Sequence, residues 1–419
     1  MKKHLVTILL AALAFSSCIY EYEPDLSSEA SRLVIEGDIS LGEVCYFRCS
    51  RLSPLQVNYY GMPAVYSSMF IVSDEYGNTY KGSQQATPIQ NYGGEIHYIA
   101  GPDARIDLTS APADRRYKLS VYATLEPDDD PICYETPWIT PQPAPEIGDI
   151  SERLIDADGD GNADNVAISL NLSAENSSGC YRWSYEELYY FRSILDTPDL
   201  ELFENGNIYD HNNDMVPVDW WPYSWCWRTT TSRRAAVAIA RALEGWNLKD
   251  HEFLRMGLSA TQLLSGEYYI RLNAKTIPEE EYKYINAVNQ GSEGLGSLLS
   301  PIPSEMIGNL RNPADSTDYA IGYVGVNTVS RRICKVRTVG RRLRVDERNY
   351  LSNPSAELTG MNLTLQQMNL YLRYTLGLYP YKDIDGVRYW TPIECVDCRA
   401  SGGVLDKPKG WDMDLEIGD

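Results

Sequence analysis

The sequence predicts a mainly β protein, with an N-terminal immunoglobulin-like β-sandwich followed by a larger β-rich domain that holds one or two helices. Two patterns and one compositional fact predict it. Between residues 32 and 139, short β-prone runs recur at turn spacing with no helical periodicity. Beyond a proline-rich stretch the runs lengthen, and only two segments show helical spacing. Tyrosine is abundant, 31 residues against 6 phenylalanines, and its ring suits half-buried strands that keep a hydroxyl in water.

The chain opens with Lys2 and Lys3 and an apolar run from Leu5 to Phe15. That run has signal-peptide length and falls short of the roughly 17–25 residues a membrane span needs. Phe15-Ser16-Ser17-Cys18 then resembles a bacterial lipobox, so residues 1–17 are expected to be removed and Cys18 lipidated. The alternative is plain secretion with cleavage at another small residue. Several acyl chains would anchor the protein firmly, each buried methylene adding about 0.8 kcal/mol. Ile19 in place of Asp favours the outer membrane by analogy with other lipoproteins, and Glu21, Glu23 and Asp25 resemble a surface-export signal. Residues 18–31 read as a polar tether.

Residues 32–139 carry the predicted sandwich. Its strands are sought in "RLVIEGDIS", "EVCYFRCS", "AVYSSMFIVSD", "EIHYIA" and "YKLSVYATL", with "DEYGNTY" as a hairpin turn. "TPQPAPEI", residues 140–147, is extended and proline-rich and reads as a linker to a second domain over 148–419. That domain starts with a hairpin-like pair, "EIGDISERLID" and "NVAISLNLS". Further strands are expected at "CYRWSYEELYYF", "SGEYYIRLNAK", "YAIGYVGVNTVSRRICKVR" and "VRYWTPI". "IPEEEYKYINAVNQG" predicts a helix, with Pro278 in its first turn, glutamates near its positive end and Tyr282, Ile285 and Val288 as a buried stripe. "LTLQQMNLYLRYTL" is a second helical candidate.

Acidic residues number 58 against 37 basic, a formal net charge of −21, which excludes the basic face that nucleic-acid binding requires. Besides Cys18 there are eight cysteines: Cys45, Cys49, Cys133, Cys180, Cys226, Cys334, Cys395 and Cys398. An even number in an exported chain predicts disulfides. Zinc at Cys395 and Cys398 would need two more ligands, yet there is no second CxxC. A redox CxxC should open a helix, whereas "CVDCRASGG" runs into glycines. In "EVCYFRCS", Cys45, Phe47 and Cys49 share one strand face, so only one of the two cysteines is expected to reach Cys133.

"DADGDGNADN" places Asp156, Asp158, Asp160, Asn162 and Asp164 at alternate positions around Gly161, a spacing that folds oxygens around one calcium ion. The glutamate that would complete an EF-hand is replaced by Ala167, so a structural calcium in a β-hairpin loop is the expectation, against a plain solvated turn. In "DWWPYSWCWRT", Trp221, Tyr223, Trp225 and Trp227 would share one side of a strand, as core or as a binding platform. "SRRICKVRTVGRRLRVDER" is a basic stretch, either a solvated strand face or a contact for an acidic partner. Short catalytic motifs such as HExxH, GxSxG and the P-loop are absent from the sequence, so no catalytic residue is assigned.

Several short patterns occur together and in order: Leu33-Val34-Ile35-Glu36-Gly37, Tyr181-Arg182-Trp183, Cys226-Trp227, Gly308-Asn309-Leu310-Arg311-Asn312, Gly322-Tyr323, and a terminal set of Cys395, Asp397, Cys398, Arg399, Gly402, Gly403, Lys407 and Pro408. In these the chain resembles the Bacteroidota lipoprotein family known as domain of unknown function 4249. The resemblance implies an exported lipoprotein, no assigned activity, and a TonB-dependent outer-membrane transporter as partner. The acidic loop and Cys45, Cys49, Cys133 and Cys180 fall outside the family's pattern. The expected function is therefore that of a non-enzymatic outer-membrane lipoprotein beside a transporter, with a cell-surface hydrolase or an adhesin-like module as alternatives.

Overall fold

In the computed structural model, the structure describes residues 32–51, 65–90, 96–99, 101–161, 163–195, 208–209, 215–216, 222–231, 238–257, 267–293, 307–336, 347–353, 365–385, 387–412 and 415–416. Cys18 and its tether lie outside these residues, as do Asn162 and Trp221. The fold is mainly β, with two α-helices among the described residues.

The first unit begins with β1 (Leu33–Glu36), β2 (Ile39–Leu41), β3 (Val44–Arg51), β4 (Ser67–Asp74) and β5 (Thr79–Gln85). It continues with the short pair β6 (Thr87–Gln90) and β7 (Ile96–Ile99), then β8 (Ala104–Asp107), β9 (Tyr117–Thr124) and β10 (Ile132–Glu135). Strand alternation sends Cys45, Phe47 and Cys49 of β3 inward, as expected, and Phe47 stacks on Phe70 of β4 with ring centroids 5.6 Å apart. The β4–β5 turn closes on Asp74, whose buried carboxylate accepts the backbone N–H groups of Tyr76 and Asn78 at 3.0 and 2.8 Å. Gly77 supplies the left-handed φ of +91° that this turn requires.

The second unit runs through β11 (Glu146–Ile155), β12 (Asn165–Ser173), β13 (Cys180–Arg192), the short pair β14 (Ile208–Tyr209) and β15 (Met215–Val216), then β16 (Trp225–Thr231), β17 (Ala238–Arg241), β18 (Asn247–Gly257) and β19 (Tyr268–Ile277). Helix α1 (Glu279–Glu293) follows at once. A sheet ordered β11-β12-β18 packs on a second sheet, β16-β13-β19. Ile168, Leu170, Leu172, Tyr181, Trp183, Ile270 and Leu272 fill the space between them.

The expected single strand "YAIGYVGVNTVSRRICKVR" is instead three pieces. After β20 (Leu310–Asn312) come β21 (Asp315–Ala320), β22 (Val326–Thr328) and β23 (Ser330–Val336). Glycine explains the interruption. Gly322 has φ +131°, and a Cβ there would lie 2.0 Å from the Ile35 carbonyl oxygen. The backbone crosses β1 too closely for any side chain.

That crossing also breaks the expected division at residues 140–147. β20 and β21 extend the first unit's large sheet, ordered β21-β20-β10-β9-β4-β5, opposite β1-β3-β8. β22 pairs in parallel with β2. Leu310, Ala320, Val324 and Val326 sit in the same core as Phe47 and Phe70. The proline-rich linker is pinned as well, since Gln142 bridges Asn327 and the Ser330 hydroxyl donates to the Pro145 carbonyl. The first sandwich is thus completed by strands some 170 residues downstream, while β23 returns to pair with β19.

The remaining elements are α2 (Leu365–Leu376), the hairpin β24 (Leu378–Ile384) with β25 (Val387–Pro392), and β26 (Leu415–Glu416), which pairs with β23. Two surfaces therefore cover the outer face of the β13–β19–β23 sheet. At one end lie α1 and the first unit, and at the other the C-terminal tail.

Candidate functional site

A cleft of about 860 Å³ opens where the first unit, α1 and the outer sheet face meet. The period-2 alternation of β13 and β19 delivers Arg182, Ser184, Asn273 and Lys275 to this face, while Tyr181, Leu272 and Ala274 point into the core. Asp38 comes from the β1–β2 connection, and Glu281 from the first turn of α1. Arg182 and Lys275 both contact Asp38 Oδ2, at 2.9 and 2.5 Å. Arg182 also lies 3.4 Å from Glu281 Oε1. At the rim, Arg331 pairs with Glu43 at 2.6 Å and donates to Asn273.

The two carboxyl groups respond oppositely to this setting. Burial by itself would raise Asp38, but the Arg182 guanidinium and the Lys275 ammonium outweigh it and hold the group at about 2. Burial, aided by the Asp38 charge, lifts Glu281 to about 7. Glu281 is 1% exposed, and its Oε2 has no hydrogen-bond partner in the structure. Gly325 accounts for the fit, because a Cβ there would stand 2.4 Å from that oxygen.

From the sequence, none of these four residues is a candidate site residue, and Arg182 enters only through the Tyr181-Arg182-Trp183 pattern. The three glutamates of "IPEEEY" read as complements to the helix dipole, and only the three-dimensional path of β22 shows that the third points inward. The one available signal was Arg182 within the Tyr181-Arg182-Trp183 pattern, a charge between two aromatics at strand spacing.

The cysteines divide. Cys226 and Cys398 form a disulfide with Cα atoms 5.7 Å apart, closing a separation of 172 residues. Disulfide chemistry at the terminal CxxC thus holds for Cys398 but not Cys395, which is a buried thiol. The expectation of disulfides among the other cysteines is corrected further: Cys45, Cys49, Cys133, Cys180 and Cys334 also form no disulfide. Cys45 and Cys49 face the sandwich core, whereas Cys133 pairs with Tyr122 across β9 and β10. Burial pushes the Cys49 thiol to about 12 and, offset in part by a Ser40 backbone hydrogen bond, the Cys45 thiol to about 11, so neither is reactive.

The rest of the terminal pattern is a clasp. Buried Asp397 pairs with Arg399 at 2.7 Å, and the Arg399 guanidinium lies 3.4 Å from the Tyr223 ring centroid. Gly402 has φ +83°, and Gly403 packs against the disulfide, where a Cβ would be 2.4 Å from Cys226 Cβ. Val404 bridges Trp227 at the β16 edge, Lys407 sits over Trp227 and Tyr269, and Trp411 lies under Arg271.

The aromatic run is correspondingly not one platform. Trp225 stacks on Tyr190 at 5.1 Å and Trp227 packs against the same ring at a tilt, 4.7 Å away, but Tyr223 belongs to a 3₁₀ turn and serves Arg399 instead. Of the basic stretch, residues 337–346 lie outside the described residues, while Arg332 donates to the Ile147 and Gly148 carbonyls and Lys335 reaches Glu267 at 3.4 Å. In the acidic loop, carboxylate oxygens of Asp156, Asp158 and Asp164 lie within 4.8 Å of one another, all exposed. Asp160 is not part of that group. Asp156 accepts the Gly159 and Gly161 backbone N–H groups at 2.7 and 2.8 Å, which lowers its pKa. No described helix is long and apolar enough to cross a membrane.

No curated protein matches the chain significantly. Residues 19–333 match the model of the family described as Domain of unknown function (DUF4249), and with three quarters of its length inside that match the chain belongs to this family.

Proposed function

We propose that the protein is a lipid-anchored outer-membrane lipoprotein that captures a ligand in the cleft between its two units and hands it to a TonB-dependent transporter. The observation that carries ligand capture is the cleft itself: a concave site at a junction, with mixed polar, ionic and aromatic walls. The lipobox-like Phe15-Ser16-Ser17-Cys18 supports the anchor, and the family resemblance supports the transporter. Co-purification from native outer membranes tests the partnership. The wild-type chain should bring a transporter with it, and its absence under crosslinking would remove the partner.

A cell-surface hydrolase is the second reading, because Asp38 and Glu281 are driven apart to about 2 and about 7, the split that separates a base from an acid. Against it, Asp38 is held between two cations and Glu281 is almost wholly buried. Glycosidase and peptidase assays of wild type and Glu281→Gln decide between the two. Calcium in the β11–β12 loop belongs to the same proposal, on the strength of the D-x-D-x-D-G-x-x-D spacing, and its role there is structural.

A further inference from the structure

The cleft floor carries a cationic surplus inside an acidic protein. Arg182 and Lys275 share one oxygen of Asp38, while buried Glu281 touches Arg182 only at 3.4 Å. Arg331 and Glu43 cancel each other at the rim. Of the charged side chains that line the cleft, three are cations, Arg182, Lys275 and Arg331, and two are carboxylates, Asp38 and Glu43, in a chain of net charge −21, while Glu281 lies buried behind them. A second anion is the missing partner.

The walls above the floor are built differently. Helix α1 presents Tyr282, Asn286 and Asn289 at i, i+4 and i+7, a single stripe along the cleft. Asn273 and Ser184 answer from the sheet. Carboxamides offer a donor and an acceptor side by side, which suits neighbouring hydroxyl groups, and a tyrosine ring in the same stripe suits the C–H face of a sugar.

We propose that this cleft binds an acidic saccharide, a polyhydroxylated ligand bearing a carboxylate of the uronic-acid type. The carboxylate lies over Arg182 and Lys275, hydroxyls meet Asn273, Asn286 and Asn289, and a ring face covers Tyr282. This deepens the ligand-capture reading and rests on it. A peptide C-terminus would satisfy the floor but brings no row of hydroxyl groups to the carboxamides of the helix.

Proton linkage follows from the same geometry. The groups facing Glu281 are Asp38 from the β1–β2 connection, Arg182 of β13, Lys275 of β19, Tyr323 beside β22 and Glu280 on its own helix. A ligand anion seated on the floor adds to the repulsion from Asp38 and keeps Glu281 neutral. Binding then takes up a proton near pH 7 and weakens as pH rises.

Calorimetry on the mature chain tests this with tri-galacturonate, the uncharged galactose trisaccharide and a tripeptide ending in glutamate, at pH 6 and pH 8. Tri-galacturonate should bind, about tenfold tighter at pH 6 than at pH 8, which is the ratio expected for one group titrating near 7. Glu281→Gln should keep the pH 6 affinity and lose the pH dependence. Asn286→Ala should weaken binding about tenfold with an unchanged melting curve, which guards against a folding artefact. Equal binding of the uncharged trisaccharide would remove the carboxylate from the site. Preference for the tripeptide would replace the ligand class, and no binding by any of the three overturns the proposal. A chain that still co-purifies with a transporter while ignoring all three ligands fails on ligand class alone.

Discussion

At the scale of single residues, Glu281 and Asp38 give opposite pH signatures. Glu281 is raised above its ordinary 4.5, so the stability it contributes is full below pH 4.5 and is lost as pH rises through about 7. Asp38 is lowered from 3.8, so its contribution is present above that value and is lost as pH falls through about 2. The unfolding free energy of the wild type, measured by urea titration, should therefore decline between pH 5 and pH 7.5, by at most about 3 kcal/mol from this one group. In Glu281→Gln that decline should flatten. An unchanged decline in the variant assigns it to other groups. Cys226 and Cys398 yield a second prediction. Replacing either with serine should cost about 2–5 kcal/mol, because a long loop is released in the unfolded chain and the Gly403 contact is lost. Denatured, unreduced protein should label at Cys45, Cys49, Cys133, Cys180, Cys334 and Cys395. Two labelled sites or fewer would mean at least three disulfides and overturn the single pairing.

At the scale of elements, the β11–β12 hairpin and the terminal clasp make separate claims. Three exposed aspartates within 4.8 Å repel one another, and a bound cation would relieve that repulsion. Calcium at a hundredfold excess over its Kd stabilises by about 2.7 kcal/mol if it binds only the folded state. Thermal melting should therefore rise with millimolar calcium and fall with chelator, and Asp158→Ala should abolish the difference. A melting temperature indifferent to calcium leaves the loop a solvated turn. The clasp wraps the β16 edge, with its disulfide beside Phe191 and Trp411 packed on the opposite face with Leu188 and Ile333. An edge covered in this way has fewer open backbone groups to offer a neighbouring chain.

For the whole molecule, the returning strands decide how the units fold. A fragment ending at residue 139 lacks Leu310, Ala320, Val324 and Val326 and leaves β10 without its β20 neighbour. It should be loosely packed, with poor amide-exchange protection, whereas the mature chain should unfold with both sandwiches coupled. A fragment that melts cooperatively at the full-length temperature would refute that dependence. The proposed lipid anchor is tested on the whole chain too. Cys18→Ala should move the protein from the membrane fraction to the soluble one, and continued sedimentation with outer membranes would disprove lipidation.

The sequence by itself determined the β class, most strand positions, helix α1, the inward face of β3 and membership signals spread along the chain. All of these depend on neighbours within a few residues, where period-2 or 3.6-residue patterning and turn chemistry suffice. Only the tertiary structure decided that Cys226 pairs with Cys398, that Trp225 and Trp227 pack against Tyr190 while Tyr223 serves Arg399, and that residues 310–328 complete the first sandwich. It alone brought Asp38 to Arg182, Lys275 and Glu281, residues up to 243 positions apart. Burial creates that site's chemistry, since exclusion of water, aided by the charge of Asp38, is what lifts the Glu281 carboxyl to about 7. Neither condition is written in the residues next to Glu281.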